Sequence, residues 1–129
     1  ARCIHTHPIK RDSDIRHALD FGVTTFVADN PDEVAKFAPF AGRAQLLIRL
    51  SFRSPEAVVD LSRKFGCDAD TALDLIRQAR QAGVEVRGLS FHVGSQSRSP
   101  DTKVHAIDAC STLMAEARRE GFASLDTLD

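Results

Sequence analysis

The sequence predicts an α/β fold built on a parallel sheet. Three observations point there. Five short strand-like runs alternate with segments of helical period, the pattern of βα units. The run Gln45 to Leu50 is apolar without alternation, as in strands covered on both faces. A polar residue stands at the carboxyl edge of each run while the strand bodies are largely apolar, as in parallel α/β folds.

Cys3 to Thr6 is the first strand. Ser13 or Asp12 is placed to cap a helix whose apolar face holds Ile15, Ala18 and Leu19, with Gly22 at its end. Thr24 to Ala28 is β-branched and aromatic, hence the second strand. Asp29 or Asn30 precedes Pro31, a favoured first helical residue, and Val34 and Phe37 line a short helix that stops before Pro39. Gln45 to Leu50 is the third strand. Ser54 to Phe65 is ambiguous, with a helix-like start at Ser54-Pro55 and apolar Val58, Val59 and Leu61.

Asp70 is the expected cap of the next helix, on Leu73, Ile76 and Ala79, closed by Gly83. Val84 to Phe91 is the fourth strand. Pro100 and Asp101 open a long helix with an inner stripe of Val104, Ile107, Cys110 or Ser111, Met114 and Ala117, ended by Gly121. Ser124 to Leu128 begins a fifth strand. Five parallel strands fit an open doubly wound sheet or an arc of an eight-stranded barrel. Neither GxGxxG nor GxxxxGK[ST] is present. A full barrel takes about 250 residues, so 129 residues would supply a little over half of one.

Composition narrows the function classes. The chain is 43% hydrophobic and 27% charged with a formal net charge of -1, ordinary for a globular domain and without the basic excess of a nucleic-acid or anionic-membrane binder. No apolar run reaches the length of a bilayer span. Cys3, Cys67 and Cys110 are odd in number and far apart, so they are expected to be reduced, buried thiols of a cytoplasmic protein rather than a disulfide or zinc framework. The chain starts at Ala1 without Met and ends within an apolar run at Leu128-Asp129, which suggests a segment cut from something longer.

In parallel α/β folds, working residues gather at the carboxyl ends of the strands. There the sequence offers His5-Thr6-His7, Asp29, Arg49, His92-Val93-Gly94-Ser95 and Asp129. Such a mouth suits an anionic, aromatic or phosphorylated ligand. Gly94 lacks a Cβ and lets backbone N–H groups approach a phosphate, and Ser95 adds a hydroxyl. His92 offers a flat ring for stacking; a plain strand-end turn with a locally bonded His is the alternative. Arg49, inside an apolar strand, needs a partner or a ligand. His5 and His7 at i, i+2 would share a face, but no further ligand has metal spacing, so no metal site is expected. Lys10 is expected to be a solvated helix-start residue, His17 and His105 ordinary helix residues, and the arginines between Arg77 and Arg87 and at Arg118-Arg119 solvated helix faces.

Four motifs in order carry a family resemblance. His7-Pro8-Ile9-Lys10 resembles the Asn-Pro-x-Lys of the fold-III pyridoxal-phosphate decarboxylases, the group of ornithine, lysine, arginine and diaminopimelate decarboxylases. Leu61-Ser62-Arg63-Lys64-Phe65-Gly66 resembles their Leu-Ser-x-Lys-Phe-Gly, Ser90-Phe91-His92-Val93-Gly94-Ser95 their cofactor strand end, and Leu128-Asp129 the lead-in to their glycine-rich phosphate loop. His7 departs from the usual Asn.

The resemblance implies part of a TIM (β/α)8 barrel of the pyridoxal-phosphate-binding, alanine racemase-like type, about five βα units over residues 1–129. It implies pyridoxal 5'-phosphate as cofactor, with His92 on its ring, Ser95 and Gly94 at its phosphate and Arg49 close by. It places the cofactor-binding lysine upstream of Ala1, leaving no catalytic residue within the segment, and a C-terminal β domain beyond Asp129. The implied reaction of the full-length parent is decarboxylation of a small basic amino acid, ornithine or lysine first, to a polyamine precursor, in a cytoplasmic homodimer with no nucleic-acid or membrane partner. A non-catalytic decarboxylase-like regulator, and a diaminopimelate decarboxylase or racemase of the same fold, are the alternatives. The segment alone is expected to be inactive.

Overall fold

The computed structural model describes residues 3–52, 64–94 and 100–129. Its elements run β1 (Ile4–His5), α1 (Asp12–Asp20), β2 (Thr25–Ala28), α2 (Pro31–Lys36), a 3-10 turn (Ala38–Phe40), β3 (Gln45–Ser51), α3 (Ala69–Gln81), β4 (Glu85–His92), α4 (Pro100–Arg119) and β5 (Thr127–Leu128). The ambiguous 54–65 stretch lies outside the described residues except for its last two.

All five strands are parallel, in the order β1-β2-β3-β4-β5. Strictly sequential order with right-handed crossovers keeps every helix on one face. A doubly wound sheet would reverse its order at a switch point, so the arrangement is the barrel type. Laid flat, β1 and β5 would stand about 19 Å apart. Yet Thr6, just beyond β1, and Asp129, just beyond β5, border one cleft. The sheet therefore curves.

The core fills the space between the sheet and its helices. Phe26, Ala28, Leu46, Ile48, Leu50, Val86 and Leu89 meet Ile15, Leu19, Val34, Phe37, Leu75, Ile76, Cys110 and Leu113. Val27 and Leu47 are fully buried but outside this cluster, on the inner face of the arc. In β4, Leu46 pairs Val86 and Leu47 pairs Gly88, so Arg87 is an extra, bulged residue. The bulge resets the alternation. It turns Gly88, Ser90 and His92 to the face of Leu47, Arg49 and Ser51, with which they pair.

Four local expectations are corrected. Arg11, not Asp12 or Ser13, is the N-cap of α1, and the Asp14 carboxylate accepts from its backbone N–H at 3.0 Å. Asp68, not Asp70, caps α3 by accepting from the Thr71 N–H at 2.8 Å. Both helices start earlier because the chain supplies a bonded cap one or two residues upstream. The stripe of α4 runs Ala106, Cys110, Leu113, Met114 and Ala117, while Val104 and Ile107 are 55% and 44% exposed. Smaller Ala106 lets the helix lie against the sheet where larger side chains would hold it off. The fifth strand is shorter than expected, and its lead-in is fastened instead by Arg118, whose Nε donates to the Leu125 carbonyl at 2.9 Å.

Candidate active site

The carboxyl ends of the strands open on a cleft of about 430 Å³ lined by Thr6, Arg49, Ser90, Phe91, His92 and Asp129. Arg49 and Ser90 are neighbours across β3 and β4, as are Ser51 and His92. The His92 imidazole is exposed at the end of β4, Val93 behind it is buried, and Gly94 turns the chain with φ 92, a conformation that suits glycine. Arg49 and His92 thus border one cleft, and Gly94 follows two residues beyond the end of β4; Ser95 lies outside the described residues.

Arg49 has an unusual setting. Burial pulls its pKa down, against the pull of the Asp29 and Asp129 carboxylates. Among the described residues it forms no ion pair. Both carboxylates are engaged by other donors. Asp29 accepts from the Gly66 N–H at 2.8 Å and from Asn30 Nδ2 at 2.9 Å, and Asp129 accepts from Ser90 Oγ at 2.9 Å. The guanidinium lies instead over the Phe65 ring, 5.5 Å from its centroid, a cation–π distance. A cation kept from its nearest carboxylates is suited to an incoming oxygen acceptor.

Lys10 overturns its expected role. It is 3% exposed, and its Nζ donates to the carbonyls of Val27 at 2.6 Å, His7 at 3.0 Å and Pro8 at 3.0 Å. It stands 3.4 Å from the buried Glu33 carboxylate, which also pairs with Lys36. Burial lowers the Lys10 pKa and the Glu33 charge opposes that. Lys10 thus meets one carbonyl of β2 and two of its own approach segment rather than water.

His5 and His7 do not form a pair. His5 ends β1 and stacks on core residue Phe26 at 5.8 Å, whereas His7 lies beyond the strand and sets its edge on Phe65 at 5.4 Å. Period-2 alternation stops where the strand stops. No group of three metal-ligating side chains occurs among the described residues. His105 packs edge-on to Phe52, and His17 sits in the last turn of α1. Arg77 pairs with Asp74 and Glu120 on the surface. Of the cysteines Cys110 is buried, Cys67 half-buried and Cys3 exposed, so the expectation of three buried thiols fails at Cys3, beside the short β1.

Sequence reasoning missed Ser90, Phe65 and the Lys10–Glu33 pair. Ser90 had a signal, since it stands two residues before His92 on the same strand. Phe65 and Glu33 had none, because their partners are 16 and 23 residues away in the chain. A second cleft, of about 450 Å³, lies at the opposite ends of the strands, among Cys3, Thr25, Gln45, Arg87 and Thr127. Its one cation, Arg87, is paired with Glu85 and Asp126, so it offers no free charge to a ligand.

The family described as pyridoxal-dependent decarboxylase, pyridoxal binding domain, matches residues 1–129. The chain is 36% identical over 126 residues to the lysine/ornithine decarboxylase of Selenomonas ruminantium, covering 98% of this chain and 32% of that protein. It is 38% identical over 122 residues to the ornithine decarboxylase of Candida albicans, covering 94% and 26%. The crystal structure of lysine/ornithine decarboxylase complexed with putrescine from Vibrio vulnificus superposes with a TM-score of 0.87 at 44% identity, over 98% of this chain and 32% of that one. That of the Paramecium bursaria Chlorella virus arginine decarboxylase bound to agmatine gives 0.91 at 33%, over 98% and 34%. The chain spans about a quarter to a third of the length of these relatives. A family match over residues 1–129, carried on a barrel arc with Arg49 and His92 at its mouth, places this chain in the pyridoxal-dependent decarboxylase family, within the part described as its pyridoxal binding domain.

Proposed function

We propose that this chain is the cofactor-binding part of a longer enzyme that decarboxylates a basic amino acid, ornithine or lysine first, with pyridoxal phosphate. The observation that carries the reading is the family match over all 129 residues together with an Arg49 that forms no ion pair among the described residues and shares its cleft with His92. Relatives of the same length ratio carry ornithine, lysine and arginine decarboxylase names.

The residues present fit the cofactor chemically. It has a flat ring, a phosphate and a ring oxygen. The exposed His92 imidazole provides a stacking face. The Gly94 turn, without a Cβ, and the Ser95 hydroxyl would take phosphate oxygens. Arg49 would hold an anionic oxygen near the ring. When bound, pyridoxal phosphate supplies an electron sink for the electron pair left by departing CO₂. The chain's own part is to orient and to hold charge. Ser90 holds the Asp129 carboxylate by a hydrogen bond at 2.9 Å, and the strand-end His92 would offer its face to the ring.

The same reading makes the protein a cytoplasmic homodimer feeding polyamine synthesis. What supports the polyamine part is that related decarboxylases are found complexed with putrescine and cadaverine. The test is direct. Full-length protein is loaded with pyridoxal phosphate and given ornithine, lysine, arginine or diaminopimelate, and CO₂ is trapped. Release from ornithine or lysine is the expected result. Cofactor absorbance with no CO₂ from any of the four would replace the enzyme with a non-catalytic cofactor-binding protein.

A further inference from the structure

The segment after residue 63 returns to the mouth and seats itself on the end of β3. Cys67 bridges Leu50 in parallel. Its N–H donates to the Arg49 carbonyl at 3.0 Å, and its carbonyl accepts from the Ser51 N–H at 2.9 Å. Gly66 has φ 91, and a Cβ there would stand 2.7 Å from Leu50 C and Ser51 N, so the segment lies flush on the strand. The Gly66 N–H is held by Asp29 at 2.8 Å. Phe65 is thereby fixed above β3, with the His7 edge on its ring and the Arg49 guanidinium over it. The His7 ring is itself pinned at Nδ1, which lies 2.8 Å from the Ile9 carbonyl oxygen and 3.1 Å from the Ile9 nitrogen.

We infer that Phe65 is a positioning residue that holds the Arg49 guanidinium in the mouth, free for an oxygen of the bound cofactor, through a His7–Phe65–Arg49 stack anchored on Asp29. The inference rests on the role given to Arg49 above. Arg carries a long side chain with much rotamer freedom, and two carboxylates stand within its electrostatic reach. A ring face gives it a resting place that does not neutralise it, and that ordering is completed before the ligand arrives. Asp29 serves twice: it fastens Phe65 through Gly66, and in doing so it spends an oxygen that would otherwise compete for Arg49.

The test uses the full-length protein stripped of cofactor and titrated with pyridoxal phosphate, with a thermal melt of each variant as the folding control. Phe65→Leu keeps apolar bulk and removes the ring; Phe65→Tyr keeps the ring. Phe65→Leu is expected to weaken cofactor binding about three- to fivefold, the range of one partly exposed cation–π contact. Phe65→Tyr is expected to restore it, and Phe65→Leu is expected to add nothing to Arg49→Ala. Weakening by Arg49→Ala with wild-type binding by Phe65→Leu would overturn the positioning role while leaving the proposed function intact. Failure of Tyr to restore binding, or a Phe65→Leu effect that persists in full beside Arg49→Ala, would overturn it too. Wild-type binding by Arg49→Ala itself would remove the role of Arg49, and this inference with it.

Discussion

The Lys10 ammonium donates to the Val27 carbonyl at 2.6 Å from a side chain with no solvent exposure. One cation thus joins the exit of β1 to the end of β2 and faces the buried Glu33. Lys10→Met leaves three carbonyls short of a donor and Glu33 with Lys36 as its remaining cation, beside the backbone N–H of residue 10. The expected loss is about 3 kcal/mol, the scale of breaking a buried ion pair by removing one partner. Urea unfolding of the full-length protein measures it. Adding Glu33→Gln is expected to recover part of the loss, because the stranded carboxylate goes; a strictly additive further loss would contradict the pairing.

Ser90 and Asp129 make a different kind of pair, one whose effect falls on a third residue. With Ser90→Ala the Asp129 carboxylate loses its neutral donor and is free to turn to Arg49. Stability is expected to fall by about 1 kcal/mol, that of one hydrogen bond, while cofactor affinity falls further than that bond alone would explain. Titration of the stripped full-length protein with pyridoxal phosphate decides it. Unchanged affinity beside a lowered melting temperature would confine Ser90 to a structural role.

The parallel sheet and the polar mouth were legible because they follow from local signals. QLLIRL has the unbroken apolarity of a covered strand, and the residues at each carboxyl edge are polar. What was not legible is the reason Ser90 and His92 face the mouth. By simple alternation both share a face with Val86, a core residue. Only the bulge at Arg87 turns them inward, and it is set by the register against Leu46 and Leu47 on another strand. Lys10 fails for the same reason: its burial depends on Val27 and Glu33, which no local pattern announces.

The cysteines separate by environment. Burial, with the Asp29 and Asp68 charges, pushes the Cys67 thiol up to about 12, and burial lifts Cys110 to about 11. Thiolate is the reactive form, so mild alkylation near neutrality is expected to label exposed Cys3 first and to spare both others, as peptide mapping would read. The folded state keeps the Cys67 proton between about 9 and about 12 while the unfolded state loses it. Its contribution is therefore complete below about 9 and is lost as pH rises across that window. The stability advantage of wild type over Cys67→Ser is expected to narrow there; an advantage independent of pH would contradict it.

His92→Ala removes the only ring that β4 presents at the mouth beyond Phe91, which turns to Phe52 at 5.9 Å. A stacking contact is worth about 0.5–1.5 kcal/mol beyond its area, so cofactor retention on dialysis is expected to drop roughly two- to tenfold. His92→Phe keeps a flat face and is expected to retain most of it. Equal losses in both variants would point to the imidazole nitrogens instead of the ring.

Gly88 sets how close β5 can come to β4. A Cβ at this position would stand 1.8 Å from the Thr127 carbonyl oxygen and 2.7 Å from its carbon, both backbone atoms that no rotamer change can move. Gly88→Ala must therefore push β5 outward, at a cost of about 1–3 kcal/mol, as for other overpacked sites. The displacement would carry Asp129 from Ser90, two rungs up the same strand pair. Destabilisation is thus expected together with weakened cofactor binding. Ser90→Ala should then cost little more affinity in the Gly88→Ala background, since its partner has already left. A full additional effect of Ser90→Ala would show that β5 holds its place by other contacts.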